Sequence, residues 1–349
     1  MGKDRYSERK NLCRYDLSKK FFDEIGINIL DVTPLRKLFM LTTEDGKKLL
    51  KKVDYNEDKI NFIGRAIEYV HDDFKNIMSM NKLNKDKEFI NWNGENYILM
   101  DLIEGREASI NNPLELEMCI DAVAKLHKAS YGITNYLNTK NTMCIYGEDL
   151  FNYYKEAEED LLDIKRWVKL YNYKNQFDEL FIETCDEYIF ELSKARDMLW
   201  ISEYEKLIED DKFISLCHND LANHNFIIND SGVNIIDLDY STVDLRALDI
   251  ADFILKWIKN SAFSIEKCKK IIDTYNKTIP LTEGEYKLIY IFMSFPRDIY
   301  SIIKSYYHKN KEWDEEIFLH RFKTKLENDI FRIKFLNDYK MLYEEELSK

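Results

Sequence analysis

CHNDLANHNFIINDSGVNIIDLDYSTVDLRALDIADF, residues 217–253, sets histidine, aspartate and asparagine among apolar runs that are typical of buried strands. Inside it, Asp220 precedes Asn225 by five positions, and Asp237 follows Asn225 by twelve. The apolar runs, joined by a turn at 230–232, predict a hairpin. We expect this hairpin to bring Asn225 and Asp237 to the same end, with Asp220 on the loop before it.

This arrangement suits phosphoryl transfer to a hydroxyl group. That reaction needs a side chain that positions the acceptor hydroxyl, and it needs oxygen ligands for the Mg²⁺ that neutralises charge on the transferring phosphates. Hard cations take carboxylate and amide oxygens, so Asn225 and Asp237 form a sensible pair of metal ligands.

The order His218-x-Asp220-x4-Asn225, followed by a strand with Asp237, resembles the catalytic loop and metal-binding aspartate of the protein-kinase-like superfamily. IIDLDY at 235–240 is more similar to the aminoglycoside phosphotransferase and choline kinase branch. A single such motif is a weak signal, so the wider sequence decides.

Further segments extend the resemblance over essentially the whole chain. They are YILMDLIEGRE (97–107), AKLHKASYG (124–132), DLRALDIADF (244–253) and FPRDIY (295–300), and with the opening stretch they resemble the CotS-type spore coat proteins of spore-forming bacteria. The resemblance implies an α+β, two-lobed protein-kinase-like fold with ATP and Mg²⁺ as cofactors.

The resemblance also implies a role for each residue of the motif. Asp220 would be the catalytic base or acceptor-positioning carboxylate, and Asn225 and Asp237 would hold Mg²⁺. His218 would brace the catalytic loop rather than perform chemistry. Asp249 would tie this loop from the start of a helix, where a carboxylate also suits the helix dipole.

The other polar residues of the stretch have more than one interpretation. Asp239 is either a second metal ligand or an acid that joins the lobes, because it is two positions from Asp237 on a predicted strand over 233–240. Asp230 and Asp244 are expected to be turn or cap residues. His224 is expected to pack or to form a hydrogen bond.

The nucleotide end of the site requires a lysine that reaches the phosphates. KKLLKKV at 47–53 offers Lys51 or Lys52. Lys51 is favoured because it shares a strand face with an apolar residue, Leu49, and because the resemblance places the lysine directly after a leucine. Glu68 of the following helix is the candidate partner of this lysine, whereas Glu57 would be an acid at the helix start.

The linker between the lobes is predicted at Met100, Asp101, Leu102 and Ile103, whose backbone groups would meet the adenine edge. Two departures from the kinase pattern are visible. The first hairpin lacks a G-x-G-x-x-G loop, and Asn219 stands where relatives more usually have glycine or histidine.

The order of patterns along the chain predicts the two lobes. The first hundred residues give hairpins that turn at 44–46 and 93–94 around a helical segment at 57–74, and helical patterns dominate from Pro113 onward. We therefore expect a small antiparallel β lobe for the nucleotide over residues 1–103. A large, mainly helical catalytic and substrate lobe is expected over residues 104–349.

Composition limits the partners and the compartment. The net charge of −13, with 51 basic and 64 acidic residues, argues against nonspecific nucleic-acid binding. The six cysteines are scattered, the first residues carry no signal peptide, and no apolar run is long enough for a membrane span. These features predict a protein of the cytoplasm, with the spore coat as a second location implied by the resemblance.

Two function classes fit these observations. One is an ATP- and Mg²⁺-dependent phosphotransferase whose acceptor is a small-molecule hydroxyl. The other is a kinase-fold scaffold in spore coat assembly, with weak or absent catalysis and coat proteins as partners. The acceptor itself leaves no readable code in the helices at 148–209 and 281–345.

Overall fold

A computed structural model describes residues 18–35, 38–83 and 87–348, and it begins with a small lobe built on an antiparallel sheet. Its strands are β1 (Ile29–Leu35), β2 (Leu38–Thr43), β3 (Gly46–Val53), β4 (Met80–Asn81), β5 (Ile90–Trp92) and β6 (Glu95–Asp101). The order is β1-β2-β3-β6, and both β4 and β5 pair with β6. Helices α1 (Lys19–Ile25) and α2 (Glu57–Val70) complete the lobe.

The two predicted hairpins of this lobe are confirmed. Gly46 begins β3 with φ 113°, and the β5–β6 turn has Asn93 and Gly94 at φ 52° and 85°. These positive φ values favour glycine and asparagine, which is why the sequence marks both turns clearly. Alternate residues of β2, Phe39 and Leu41, are buried under the sheet.

The large lobe is mainly helical. Its helices are α3 (Pro113–Ala129), α4 (Ile133–Thr139), α5 (Leu150–Leu170), α6 (Gln176–Trp200), α7 (Tyr204–Ile208), α8 (Arg246–Ile258), α9 (Ile265–Asn276), α10 (Glu283–Ser294), α11 (Arg297–Tyr307), α12 (Glu315–Leu342) and α13 (Glu344–Ser348). The expected α+β organisation, with a small antiparallel β lobe and a large, mainly helical lobe, is confirmed. In the part of the chain described here, no helix is both long and apolar enough to cross a membrane.

Two small antiparallel sheets interrupt these helices. One has the order β10-β9-β7, from β7 (Arg106–Glu107), β9 (Phe226–Asn229) and β10 (Gly232–Ile235). The other pairs β8 (Ile214–Cys217) with β11 (Thr242–Leu245). The turn at 230–232 therefore joins β9 and β10 as the sequence predicts.

The strand predicted over 233–240 is too long, because β10 ends at Ile235. Asp237 has φ 65°, which lies in the left-handed region and turns the chain out of the extended conformation. Asp237 and Asp239 consequently lie on a loop and do not share a strand face. Apolar alternation carries no signal for such a conformation.

The two lobes share part of their core. Helix α2 is capped by Asn56, whose side chain accepts a hydrogen bond from the backbone N–H of Lys59. Its buried face, Ile60, Ile63 and Ile67, belongs to the same continuous apolar cluster as the large lobe. The sheet packs on a separate small cluster around α1. A boundary between independent units at 103/104 stays a prediction.

Candidate active site

The segment 218–225, called the catalytic loop below after its predicted role, connects β8 to β9 and is hydrogen-bonded to helix α8. Asp249, on the first turn of α8, is fully buried and accepts the backbone N–H groups of His218 at 2.6 Å and Asn219 at 2.8 Å. Burial alone would raise the pKa of Asp249, but the hydrogen bond and charge of His127 keep it below the usual value. The expected tie between Asp249 and the loop is therefore present in the structure.

Two more residues of α8 fix the next part of the loop. Asp252 accepts the Leu221 N–H at 3.1 Å, and the Trp257 indole N–H donates to the Leu221 carbonyl at 3.0 Å. Both contacts are buried. One helix thus satisfies backbone groups of three residues of the loop, His218, Asn219 and Leu221.

The residue between the motif histidine and aspartate has a left-handed backbone. Asn219 has φ 62°, a conformation that asparagine tolerates better than most residues. Its side-chain amide donates to the Tyr240 carbonyl at 3.0 Å and to Thr242 Oγ1 at 2.8 Å. Asn219 therefore joins the catalytic loop to the segment that follows Asp237.

His218 lies inside the loop and acts on its geometry. Its side chain is fully buried, and Nε2 lies 2.8 Å from the Ile236 carbonyl. Nδ1 accepts the backbone N–H of Asp220 at 3.2 Å, so Nε2 carries the proton. These contacts make His218 a positioning residue for Asp220.

Asp220 projects its carboxylate toward a lysine that the sequence did not single out. Lys256 Nζ lies 2.7 Å from Asp220 Oδ1 and 2.7 Å from Asp252 Oδ2. Burial would raise the pKa of Asp220, but the hydrogen bond and charge of Lys256 lower it below its usual value. Asp220 is thus ionised at neutral pH, as an acceptor-positioning carboxylate must be.

The two predicted metal ligands flank the same hairpin. Asn225 is buried directly before β9, and its carbonyl accepts the N–H of Ile236 beyond β10 at 3.0 Å. The Asn225 side-chain nitrogen donates to the Asp220 carbonyl at 2.8 Å, so the amide oxygen is the atom available to a cation. With the carboxylate of Asp237, this donor set fits Mg²⁺.

Lys51 reaches this end of the site from the small lobe. Its ammonium lies 2.7 Å from Asp237 Oδ1 and 2.6 Å from Asp239 Oδ2. Burial would lower the pKa of Lys51, but the charges of Asp239 and Asp237 raise it above its usual value. Lys51, and not Lys52, is therefore the lysine of the site, since Lys52 pairs with Glu95 at 2.9 Å.

Asp239 takes the role of an acid that joins the lobes. Besides Lys51, it accepts a hydrogen bond from the Tyr55 hydroxyl at 3.1 Å. Lys59 of α2 adds a further bond to the Ser241 carbonyl. Three contacts thus connect the segment 51–59 to the loop after β10.

The expected partnership of Glu68 with Lys51 is not formed, and this prediction was wrong. Glu68 pairs with Arg65 at 2.7 Å, and about half of its side chain is exposed. The reason is helical phase, because Ile63 and Ile67 turn the opposite face of α2 into the core. In this arrangement, Asp239 supplies the charge that Glu68 was expected to provide.

A cavity of about 320 Å³ lies above these polar groups, between the two lobes. Its lining is mostly apolar, with Asp101, Glu107 and His224 as polar residues besides the candidate phosphate and metal groups. It consists of Leu38, Leu49, Lys51, Met78, Met100, Asp101, Leu102, Ile103, Glu107, His224, Asn225, Ile227, Ile236 and Asp237. An apolar slot with a few convergent polar groups is the usual form of a cofactor site. It includes Met100, Asp101 and Ile103 of the predicted linker.

Some polar groups of the linker already form hydrogen bonds within the protein. The Leu102 N–H donates to the Lys47 carbonyl at 3.1 Å, so this group is not free to meet a nucleotide base. Asp101 pairs with Lys48 at 2.7 Å and accepts a hydrogen bond from the Ser79 hydroxyl at 2.5 Å, so its carboxylate is engaged within the small lobe.

One other group of potential metal ligands lies behind the loop. His127, Cys217 and Asp249 are all buried, and their ligand atoms lie within 4.8 Å of one another. Both Asp249 oxygens already accept backbone N–H groups, and burial raises the pKa of the Cys217 thiol far above its usual value. This cluster therefore supports the loop and does not form a metal site.

Known structures share this fold across nearly the whole chain. An aminoglycoside phosphotransferase from Alicyclobacillus acidocaldarius gives a TM-score of 0.80 at 15% identity, covering 94% of this chain and 97% of its own. A spectinomycin phosphotransferase solved with ADP and spectinomycin gives a TM-score of 0.65 at 15% identity, covering 89% and 93%. A choline/ethanolamine kinase family protein from Mesorhizobium loti gives 0.57 at 14% identity, covering 95% and 99%.

Sequence comparison identifies the family more narrowly. Spore coat protein S of Bacillus subtilis is 21% identical over 327 residues, which cover 88% of either chain. The model of the family described as "Spore coat putative kinase YutH" matches residues 40–339. The resemblance to spore coat proteins is thereby confirmed, and the solved structures confirm the expected protein-kinase-like fold. The chain belongs to the family of spore coat putative kinases of the YutH type.

Proposed function

We propose that this kinase-like protein is an ATP- and Mg²⁺-dependent phosphotransferase that acts on a hydroxyl group of a small molecule. The observation that carries the proposal is the convergence of Lys51, Asn225 and Asp237 on one cavity, with Asp220 next to them. These are the charged and amide groups that phosphoryl transfer requires, in positions contributed by both lobes.

Each residue has a defined task in this mechanism. Asn225 and Asp237 would hold Mg²⁺, which supplies charge neutralisation for the phosphates when it is bound. Lys51 would bind the phosphate chain of the nucleotide. Asp220 would accept a hydrogen bond from the acceptor hydroxyl, orient its oxygen and receive its proton.

The second candidate function, a scaffold with weak catalysis, is favoured by the way the charges already neutralise one another. Lys51 lies between Asp237 and Asp239, and Lys256 contacts the carboxylate of Asp220. A ligand has to replace these internal ion pairs, which reduces its net binding energy. In this case the protein would act by binding coat proteins through its surface.

A thermal-shift experiment with Mg-ATP separates the two functions. Binding to the folded state at a concentration of 100 Kd adds about 2.7 kcal/mol to the free energy of unfolding. We expect this gain in the wild type and its loss in Asp237→Ala. Asp230→Ala, which removes an exposed aspartate from the β9–β10 turn, is the matched control and should keep the gain. No gain at millimolar Mg-ATP in the wild type favours the scaffold.

The role of Asp220 is tested in a second step. Asp220→Asn keeps the shape of the side chain but loses the negative charge, so we expect Mg-ATP binding to persist and phosphoryl transfer to fall by about 10²-fold or more. Transfer is measured as ADP release in an acceptor screen. Wild-type turnover in this variant would contradict the assignment.

We also propose the setting of this reaction. The curated relative is a spore coat protein, so we place the chain in the cytoplasm of the spore-forming cell and at the spore coat. Its net charge of −13 and the absence of an overall basic surplus argue against nucleic acid as a partner, and no membrane partner is proposed.

A further inference from the structure

A second cavity, of about 120 Å³, is lined in part by Lys256, the lysine that contacts Asp220. It is formed where α8, the start of α11 and α12 meet. Its lining residues are Asp252, Leu255, Lys256, Lys259, Phe263, Phe295, Pro296, Arg297, Asp298, Lys325, Asn328, Asp329 and Arg332. They include residues 295–298, the first four of the FPRDIY segment, to which the proposed function assigns no role.

This cavity is connected to the reacting centre through one side chain. Lys256 lines it and contacts Asp220 Oδ1 at 2.7 Å and Asp252 Oδ2 at 2.7 Å. A molecule whose hydroxyl lies at Asp220 would therefore place its next few atoms beside Lys256 and in this cavity. The cavity is in the position of an acceptor subsite.

Positive charge predominates at the mouth of the cavity. Four cations, Lys256, Lys259, Arg297 and Lys325, face the two carboxylates Asp252 and Asp298. The pairs share their partners: Lys256 and Arg297 both contact Asp252, and Lys259 and Lys325 both contact Asp298. Even when Asp220 is counted with Asp252, the mouth has four cations against three carboxylates in a chain of net charge −13.

At the floor of the cavity one cation meets two carboxylates, so the excess of positive charge is confined to the mouth. Arg332 is buried and contacts Asp329 and Glu191, both at 2.5 Å. It also donates to the Ser294 carbonyl at 3.1 Å. These donors are already engaged, and a ligand would meet the cations above them.

Two further features favour an anion at the mouth. Helix α11 begins here without a side chain that caps its N-terminus, and the N-terminus of a helix attracts negative charge. Burial lowers the pKa of Lys325, the charge of Asp298 opposes this shift, and the charge of Lys259 adds to it. A bound anion would relieve this repulsion between the two ammonium groups.

Arg297 is the cation most available to a ligand. Its side chain is 54% exposed, and its single ion pair, with Asp252, is at 3.2 Å. A guanidinium has five N–H donors in a planar arrangement that matches carboxylate and phosphate oxygens. The small volume suits one such group, since whole drug-sized ligands need cavities of about 300 Å³ or more.

We infer that the acceptor is a hydroxyl compound that also carries an anionic group, a carboxylate or a phosphate, and that Arg297, Lys259 and Lys325 bind this group beside Asp220. The inference rests on the proposed phosphotransferase function. It separates this chain from enzymes whose acceptors are polyamines, because a cationic mouth repels amino groups. The anionic group would anchor the molecule while its hydroxyl meets Asp220.

The test uses the full chain and four small probes that share a hydroxyl group: glycerol, glycerate, glycerol 3-phosphate and ethanolamine. Their dissociation constants are measured by calorimetry or ligand-observed NMR without nucleotide, so the result does not depend on turnover. We expect glycerate or glycerol 3-phosphate to bind at least about tenfold more tightly than glycerol and ethanolamine. Which anion binds more tightly distinguishes carboxylate from phosphate recognition.

Variants locate the binding. Arg297→Gln and Lys259→Gln should each weaken binding of the preferred anion by about tenfold. Arg166→Gln, which removes a surface guanidinium paired with Asp163, should leave this binding unchanged. If phosphoryl transfer is found, Arg297→Gln should raise KM for the anionic acceptor with a much smaller change in kcat.

Three results would overturn the inference: no preference for the anions, a preference for ethanolamine, or an anion affinity that Arg297→Gln does not change. Each is distinguishable from a failure of the proposed function, which is read from the Mg-ATP thermal shift of the same protein. Anion binding without a nucleotide shift would reject the phosphotransferase and keep the subsite as a ligand pocket.

Discussion

The buried carboxyl of Asp244 makes a pH-dependent contribution to stability that can be measured in isolation. Asp244 lies on β11, where it is 5% exposed. Burial raises its pKa from the ordinary 3.8 to about 7, the Leu245 N–H works against this rise, and the charge of Asp249 adds to it. The sequence predicted a turn or cap residue at this position, whereas the structure places a carboxyl inside the lobe.

The sign and size of the effect follow from this pKa. The folded protein holds the Asp244 proton more tightly than the unfolded chain, so the stabilising effect is full below about pH 4. It is lost as the pH rises through about 7. A difference of about three pH units, at about 1.4 kcal/mol per unit, gives an upper limit of about 4 kcal/mol. Asp244→Asn stays neutral at every pH and avoids this loss.

We expect urea unfolding to show similar stability for wild type and Asp244→Asn at pH 4, and an advantage of about 1–4 kcal/mol for the variant at pH 8. The difference should grow between these values and then stay constant. Asp230→Asn, at an exposed turn, is the control and should show a flat difference. An Asp244→Asn profile parallel to that of the wild type would refute the reasoning.

Two other substitutions test the packing and charge of the site. Lys51→Met leaves Asp237 and Asp239 close together without their shared cation. We therefore expect the free energy of unfolding, measured in urea, to fall by about 1–2 kcal/mol. About 10 mM Mg²⁺ should restore the lost stability of the variant. If stability does not return, the two carboxylates do not form a cation site. Gly147→Ala would place its Cβ 1.6 Å from Asp244 Oδ2. This overpacking should lower the free energy of unfolding by about 1–3 kcal/mol. An unchanged free energy of unfolding would contradict the close contact.

Local patterns predicted the parts of the site that depend on nearby sequence. Asp220, Asn225 and Asp237 belong to one loop and one hairpin, so their spacing alone brings them together. Lys51 followed from strand alternation, because Leu49 and Lys51 share a face that the structure turns into the cavity. These inferences need only the geometry of a single strand or turn.

Contacts between distant elements were beyond such reasoning. The predicted pairing of Glu68 with Lys51 was wrong because the orientation of α2 depends on which of its faces packs into the core. Lys256 reaches Asp220 across 36 positions, and its only sequence signal is the i,i+4 pair with Asp252. The left-handed backbone of Asp237 depends likewise on tertiary contacts, which no apolar pattern encodes.

The attachment of the catalytic loop to helix α8 has a consequence for its motion. The amide protons of His218, Asn219 and Leu221 are bonded to carboxylates of a helix that is buried along most of its length. They can exchange with solvent only when this helix separates from the loop, so their exchange should be as slow as that of the helical core. We therefore expect the loop 218–225 to behave as an extension of the most stable part of the large lobe, with a geometry that local fluctuations of surface loops leave unchanged.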